Sequence, residues 1–157
     1  MKTKKYAKII TAILLVSLLA LTLFACFDSG NDTEGTMTLV LINGDDVKEY
    51  VVDLSKIPSG NSSTGLMAVL DYLQNEGKLT YDATGGFLNQ VGDLKNNENN
   101  NNMWISIYTD VESDVSVAEW ATTVTHKGVT CTSSDFGASQ MSIKDGCTII
   151  ITLIYFG

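Results

Sequence analysis

The chain has 157 residues, a length that suits one domain, and it is acidic, with 18 Asp and Glu against ten Lys and no Arg. A surface of this charge repels the phosphate groups of nucleic acids, so nucleic acid is excluded as a partner. The lack of Arg also removes the planar guanidinium group that phosphate and carboxylate sites favour.

Residues 1 to 26 have the pattern of a lipoprotein signal. Four Lys between Lys2 and Lys8 precede an apolar run from Ile9 to Ala25, and Cys26 follows directly after this small residue. We therefore expect cleavage before Cys26, diacylation at its thiol and attachment to the extracytoplasmic face of the cell membrane, because two acyl chains suffice for stable anchoring. The alternative is an uncleaved transmembrane anchor, since the apolar run reaches the lower limit of about 17 residues for a spanning helix.

Cleavage at this position changes the composition of the mature chain. Removal of residues 1 to 25 leaves 132 residues and takes away four of the ten Lys but no acidic residue, so six Lys face 18 Asp and Glu and the net charge is −12. Residues 27 to 35 are polar, acidic and contain Gly, which predicts that residues 26 to 35 form a flexible tether from the lipid. Residues 36 to 157 then form one domain, which is long enough to enclose a core.

The first half of the domain has a strand pattern followed by a helix pattern. The apolar runs 37–42 and 47–54 flank the turn pair Asn43-Gly44, which predicts a β-hairpin. A helix is predicted next, because apolar residues recur at helical spacing between Leu66 and Leu73. The hydroxyl residues at positions 62 to 64 are candidates for its N-terminal cap, and Gly77 is the candidate for its C-terminal stop.

The second half is predicted to contain strands at residues 79–82, 87–91, 103–109, 115–125 and 147–156. The Asn-rich run from 96 to 102 cannot bury apolar surface, so it predicts a solvated loop. The continuous apolarity of the last segment predicts a central strand that is covered on both faces. Several strands and one helix together predict an α+β fold, in which a mixed sheet of five to seven strands packs on one helix.

The candidate chemical groups favour binding over catalysis, so we expect no enzyme and no required cofactor. His126 is the only His, and no metal-ligand or nucleophile motif accompanies it. It is expected to be an exposed turn residue; the alternative is an axial ligand to the cobalt of a corrinoid. Asp110, Glu112 and Asp114 alternate and would share one strand face, as Ca²⁺ ligands do, but they lack the loop register of a calcium site. A solvated acidic edge is expected there, and no bound metal.

Two further groups of residues leave alternatives open. The aromatic residues Trp104, Tyr108, Trp120 and Phe136 are candidates for a ligand-binding face, and packing in the core is the alternative for each. Outside the cytosol, Cys131 and Cys147 can form a disulfide, which would stabilise the domain by about 3 kcal/mol. The alternative is two independent buried thiols, because the sequence does not show whether the side chains face one another.

Four short motifs occur in an order shared with a known family. They are a Ser/Thr-capped helix start at 64–70, a Gly-aromatic strand at 86–92, a Trp-led strand at 104–108 and a Lys-Asp-Gly turn into the last strand at 144–149. In this order they resemble the transcobalamin-like C-terminal domain family, a β-grasp-like module of bacterial surface lipoproteins. The resemblance covers residues 36 to 155. Residues 112 to 139 are longer than the family pattern, and Cys147 replaces the last residue of its final turn; a disulfide between Cys131 and Cys147 would explain both departures.

The resemblance implies a ligand-binding module that covers one face of a corrinoid such as cobalamin, while a separate helical domain covers the other face. This chain has no room for that helical domain, so we expect weak affinity unless a surface protein completes the site. The expected ligand contacts are Trp104, Tyr108, Trp120, Phe136 and His126. The alternative function is a protein or glycan interaction and adhesion module with no corrinoid role.

Overall fold

In the part of the chain that the structure describes, nine strands and one α-helix form the domain. The computed structural model describes residues 30 to 58 and 63 to 156, so the predicted signal peptide and the lipidation site Cys26 lie outside the described residues. The helix, α1, spans Leu66–Asn75, and short 3-10 turns lie at Leu54–Lys56 and Glu98–Asn100. The strands are β1 Thr36–Asn43, β2 Asp46–Asp53, β3 Tyr81–Thr84, β4 Phe87–Val91, β5 Leu94–Lys95, β6 Met103–Thr109, β7 Thr123–His126, β8 Val129–Ser133 and β9 Thr148–Tyr155. Among these residues, no helix has the length and apolarity needed to span a bilayer.

The main sheet has six strands in the order β2-β1-β9-β6-β8-β7. β1 and β9 are parallel, and the other neighbours are antiparallel. β9 is central, and its residues Ile149, Ile150 and Ile151 are fully buried, which confirms the position predicted from its continuous apolarity. The predicted β1–β2 hairpin is also confirmed, but its two-residue turn is Gly44-Asp45 and not the predicted pair Asn43-Gly44, because Asn43 still pairs with Asp46. Gly44 has a positive φ of 60°, which this turn requires.

Two apolar clusters lie on opposite faces of the main sheet, because successive strand residues point to opposite sides. The larger cluster joins the inner face of the sheet to α1 and to the small β3-β4-β5 sheet, and it includes Leu39, Leu41, Ile149, Ile151, Leu66, Val69, Leu70, Leu73, Leu88, Val91 and Leu94. The smaller cluster lies on the outer face and consists of Val40, Tyr108, Cys131 and Ile150. The β7–β8 hairpin contributes Cys131 to it, so this hairpin covers part of the outer face.

The predicted α+β class, a single sheet packed on one helix, is wrong. Strands account for 43% of the structure and helices for 12%, and the strands form a curled six-stranded sheet and a separate three-stranded sheet. The reason lies in local pairing. β3, β4 and β5 pair with one another and form the second sheet. β7 and β8 pair across the turn Lys127-Gly128 and continue the main sheet where it curls.

Two local predictions also need correction. The segment predicted as one strand at 115–125 is a strand only from Thr123, where β7 begins; Val115 forms an isolated bridge, and Trp120 lies in a turn between them. The helix α1 is capped by Gly65, not by a hydroxyl side chain; Thr64 donates its hydroxyl to the Ser139 carbonyl instead. The predicted stop at Gly77 is confirmed, since this residue has a φ of 66° and donates its N–H to Gln74.

The first described residues are docked on the turn before β9. The Asp32 N–H donates to the Ile143 carbonyl at 2.8 Å, and the Asp145 N–H donates to the Asp32 carboxylate at 2.8 Å, which lowers the pKa of Asp32. The Thr36 N–H in turn donates to the Asp145 carboxylate at 2.9 Å. Residues 30 to 35 of the predicted tether are therefore held against the domain. We call this side, where β1 and β9 begin and β2 and β6 end, the anchor end, and the opposite side the distal end.

A candidate binding surface at the distal end

Exposed aromatic side chains gather where β6 begins and β9 ends. Trp104 lies opposite Ile154, and Met103 opposite Tyr155, in the antiparallel register of these two strands. The Phe156 N–H donates to the Asn102 carbonyl, so Phe156 lies beside the start of β6. Trp104 is 41% exposed, Tyr155 66% and Phe156 61%. We call Trp104, Ile154 and Phe156 the strand-end surface; Tyr155, which pairs with Met103, points to the opposite face of the sheet.

The Asn-rich segment borders this surface and forms an ordered turn. Asn97, Asn99 and Asn102 adopt positive φ angles of 47°, 56° and 57°, a conformation that Asn tolerates better than most other residues. The side chain of Asn96 joins β4 to β6, because its amide donates to the Leu88 carbonyl at 2.7 Å and its oxygen accepts the Ile105 N–H at 2.6 Å. The polar run predicts a solvated loop, and Asn101 and Asn102 are exposed. They directly precede β6, and the Asn102 carbonyl accepts the Phe156 N–H.

Tyr108 is not available to a ligand, since it is 2% exposed. Its ring lies in the outer-face cluster with Val40 and Ile150. Its hydroxyl is 3.0 Å from the Thr122 hydroxyl, so the polar end of the ring is satisfied within the protein. Tyr108 is therefore a core residue and not a ligand contact.

His126 is not the exposed turn residue that was expected, because its side chain contacts the Glu49 carboxylate, which also binds Lys127. It is the last residue of β7, and its Nε2 is 3.0 Å from the Glu49 carboxylate on β2. Lys127 Nζ is 2.8 Å from the same carboxylate. The hydrogen bonds from Lys127 and His126 lower the pKa of Glu49. Because β2 and β7 are the two edge strands of the main sheet, this contact shows how far the sheet curls.

Trp120 and Phe136 are exposed, at 68% and 41%, but they lie on loops away from the strand-end surface. The loop of Trp120 is attached to β8 through Thr122, which exchanges hydrogen bonds with Ser133. Phe136 lies three residues beyond Ser133, in the segment whose residues 138–141 pack against the N-terminus of α1. The structure therefore does not bring the five predicted contact residues to one site.

The three alternating acidic residues Asp110, Glu112 and Asp114 have separate surroundings and do not converge on one site. The Asp114 side chain is buried and accepts the Ser142 N–H, the Ser142 hydroxyl at 3.0 Å and the Ser113 hydroxyl at 2.8 Å. Asp110 accepts the Thr148 N–H at 2.9 Å, and Glu112 is exposed in a turn. Within residues 30–58 and 63–156, no group of three or more His, Cys, Asp or Glu side chains is arranged to hold a metal ion.

A small cavity of about 210 Å³ lies at the anchor end, between residues 31–33, the turn after β2 and the start of α1. Its walls are mainly apolar or hydroxyl-bearing and include Leu54, Ile57, Ala68 and Ile143. None of the predicted contact residues lines it. The strand-end surface, which is open, is therefore the candidate site that includes a predicted residue, Trp104.

The hypothesis of a disulfide between Cys131 and Cys147 is not met in the structure, where both thiols are free and buried. Cys131 belongs to the outer-face cluster and Cys147 to the inner one, so the two side chains pack on different sides of the sheet. Burial raises the pKa of the Cys131 thiol to about 12 and that of the Cys147 thiol to about 11. Both residues thus act as small apolar side chains of low reactivity.

The raised thiol pKa values predict a loss of stability in alkali. Unfolded thiols ionise near a pKa of about 8.5, while the folded thiols stay protonated up to about pH 11. The unfolded state therefore binds fewer protons in this window, and the free energy of unfolding should fall as pH rises through it. Urea unfolding at several pH values measures this slope, and the double variant Cys131→Ala/Cys147→Ala should show a smaller one. Absence of titratable thiols in the denatured, unreduced protein would instead establish the disulfide.

Tyr155 and Phe156 were not among the predicted surface residues, because the apolar run of β9 predicts burial along its whole length. Their position at the end of the strand could have predicted their exposure, because neighbouring elements cover the middle of β9 and not its end. Ile149 to Ile151 are buried, whereas residues 152 to 156 become progressively exposed.

Comparisons with known proteins leave the family open. No family model matches the chain, and no curated protein sequence matches it. Solved structures that are similar include a provisionally assigned metal-binding protein from Ruminococcus gnavus, with 17% identity and a TM-score of 0.47 over 79% of this chain and 100% of that one. An identity and a TM-score this low assign neither a ligand nor a function to this chain.

Proposed function

We propose that this chain is a non-enzymatic lipoprotein, anchored on the extracytoplasmic face of the cell membrane through Cys26, that binds its ligand at the strand-end surface. The observation that carries the proposal is the exposure of Trp104 and Phe156 beside Ile154 on neighbouring strand ends. Contiguous exposed apolar surface of this kind marks interaction sites in soluble domains. The single imidazole of the chain is paired with Glu49, not with a hydroxyl or thiol, which favours binding over catalysis.

The resemblance makes a corrinoid such as cobalamin the first ligand to test. A corrin ring has flat apolar faces and a rim of amide groups, so it would stack on Trp104 and meet the amides of Asn101 and Asn102 at the border. An open surface forms few contacts with its ligand, and these offset little of the translational and rotational entropy that binding costs. We therefore expect a dissociation constant in the micromolar range or weaker, on the order of 10⁻⁶ M. A surface protein that covers the other face of the ring should lower this dissociation constant.

The second candidate is a protein or glycan interaction without a corrinoid. It is favoured by the positions of Tyr108 and His126, because the first is buried and the second is bound to Glu49. Neither can contact a corrinoid at the strand-end surface, and no free imidazole is left to ligate cobalt. Exposed aromatic side chains bordered by amides suit a sugar ring or a protein surface as well.

Titration of the mature protein with cobalamin tests the first candidate. Cobalamin absorbs where Trp emits, so binding should quench Trp fluorescence saturably after correction for the inner-filter effect. Calorimetry under the same conditions reports binding without an optical signal. If neither method shows saturation, alone or with a candidate surface protein, the corrinoid is excluded and the second candidate replaces it.

The lipid anchor is tested by the Cys26→Ala variant. We expect the variant to accumulate as an uncleaved precursor without acyl label, because cleavage and acylation both require the Cys26 thiol. Metabolic labelling with a fatty acid and the apparent mass of the product measure both effects. Labelling that is unchanged in the variant would contradict the anchor, while a Cys131→Ala control should be labelled and cleaved like the wild type.

A further inference from the structure

The docked N-terminal segment fixes the place where the chain leaves the domain. Gly35 has a φ of 94°, and a Cβ at this position would lie 2.1 Å from the Asp145 carboxylate oxygen. That carboxylate accepts the Thr36 N–H, while the Asp145 N–H donates to Asp32. Lys144 Nζ also donates to the Gly30 carbonyl at 2.6 Å. The contacts are reciprocal and close, so the exit point of the chain is set at the anchor end.

We propose that this docked segment makes the anchor end the membrane-facing surface of the domain and turns the strand-end surface away from the bilayer. The inference rests on the lipid anchor of the proposed function. Only residues 27 to 29 separate Cys26 from Gly30, so the Cα atoms of Cys26 and Gly30 are at most about 14 Å apart. The partner of the anchor end is thus the bilayer that carries the acyl chains.

The length of the strands separates the two ends by more than the tether can reach. β9 has eight residues and begins at the anchor end, so its far end lies about 25 Å away. The strand-end surface is formed by the last residues of this strand. A ligand at this surface therefore has to come from the aqueous side or from a facing surface, not from the lipid.

The orientation is set by the short tether and not by electrostatic attraction. The mature chain carries a net charge of −12, so anionic lipid head groups repel it. Lys144 is engaged by Gly30 and Asp32, and it is not a free cation that would draw the domain to the membrane. We expect the orientation to be the same on zwitterionic and anionic vesicles and to be insensitive to salt.

Quenching by brominated lipid tests the inference on the mature, acylated protein in phosphatidylcholine vesicles. The Trp120→Phe variant leaves Trp104 as the only reporter, at the distal end. A second protein carries Lys56→Trp with Trp104→Phe and Trp120→Phe, which leaves one reporter at an exposed position of the anchor end. We expect brominated lipid to quench the reporter at position 56 and to leave Trp104 emission unchanged.

A longer tether is the matched control. A Gly-Ser insertion of about 20 residues after Asp28 behaves as a flexible coil, so it should remove most of the quenching at position 56. Equal quenching of the two reporters, or stronger quenching of Trp104, would overturn the orientation. Acyl labelling of the same samples reports the anchor separately: labelled protein with equal quenching overturns the orientation alone, and unlabelled protein overturns the anchor and the orientation together.

Discussion

Substitution of Gly65 by Ala should destabilise the domain by about 4 kcal/mol, from backbone strain and from overlap with neighbouring backbone. Gly65 caps α1 with a φ of 58° and a ψ of −140°, a conformation that residues with a Cβ rarely adopt. An added Cβ would lie 2.6 Å from the Met141 carbonyl oxygen and 2.8 Å from that of Ala138. Both contacts are with main-chain atoms, so rotation of a side chain cannot relieve them. Urea unfolding of the wild type and the variant measures the loss.

Gly77→Ala is the matched control at the other end of the same helix. Gly77 also has a positive φ, of 66°, but nothing lies within 4 Å of the position that an added Cβ would take. Only the conformational strain applies there, so the expected cost is about 1 kcal/mol. Equal losses for the two variants would show that the close approach of Gly65 to the 138–141 segment does not contribute.

Asp114→Ala is the second large expected effect, with a loss of about 3 to 5 kcal/mol, because hydrogen bonds to a charged group contribute about 1.5 to 3 kcal/mol each. The Asp114 carboxylate is 3% exposed and is the acceptor for the Ser142 N–H and hydroxyl and for the Ser113 hydroxyl. Its removal leaves the buried Ser142 N–H without its partner. The segment from 134 to 142 should then become more mobile, and the Ser142 amide should exchange with solvent faster. Urea unfolding of the wild type and the variant measures the loss in free energy of unfolding.

Asp114→Asn separates the charge from the shape of this side chain. The amide keeps one acceptor oxygen but directs an NH₂ group at one of the donors from Ser142, so an intermediate loss of about 2 kcal/mol is expected. Glu112→Ala is the control, since this neighbour is exposed and its substitution should change stability by no more than about 0.5 kcal/mol. A loss for Asp114→Ala that is no larger than for Glu112→Ala would contradict the structural role of the carboxylate.

The elements that the sequence predicts correctly are those whose signal is local. The β1–β2 hairpin follows from two apolar runs and a Gly-containing turn, and α1 follows from apolar residues at helical spacing. The central position of β9 follows from its continuous apolarity. The class was wrong because β3, β4 and β5 pair with their neighbours in the sequence and form a second sheet, and because β5, with only two residues, carries too little pattern to be predicted.

The candidate site was predictable only in part for a similar reason. Trp104 is a predicted contact residue and lies on the strand-end surface. Tyr108, four residues further along β6, is also aromatic and points to the same face of the sheet as Trp104. The β7–β8 hairpin covers Tyr108, however, and leaves Trp104 exposed. That hairpin is rich in Thr and carries His126, so its sequence does not show that it folds back over an apolar face. Burial of one aromatic residue and exposure of the other thus depend on a contact that no local pattern encodes.

Ligand binding at the strand-end surface is the central claim, and a pair of Trp variants tests it most directly. Trp104 and Trp120 are both exposed, so Trp104→Ala and Trp120→Ala should each fold with little loss of stability. Calorimetric titration with cobalamin should show saturable binding for the wild type and for Trp120→Ala, and at least a tenfold weaker dissociation constant, about 1.4 kcal/mol, for Trp104→Ala. Binding that is unchanged in Trp104→Ala, or that is lost in Trp120→Ala instead, would contradict the claim.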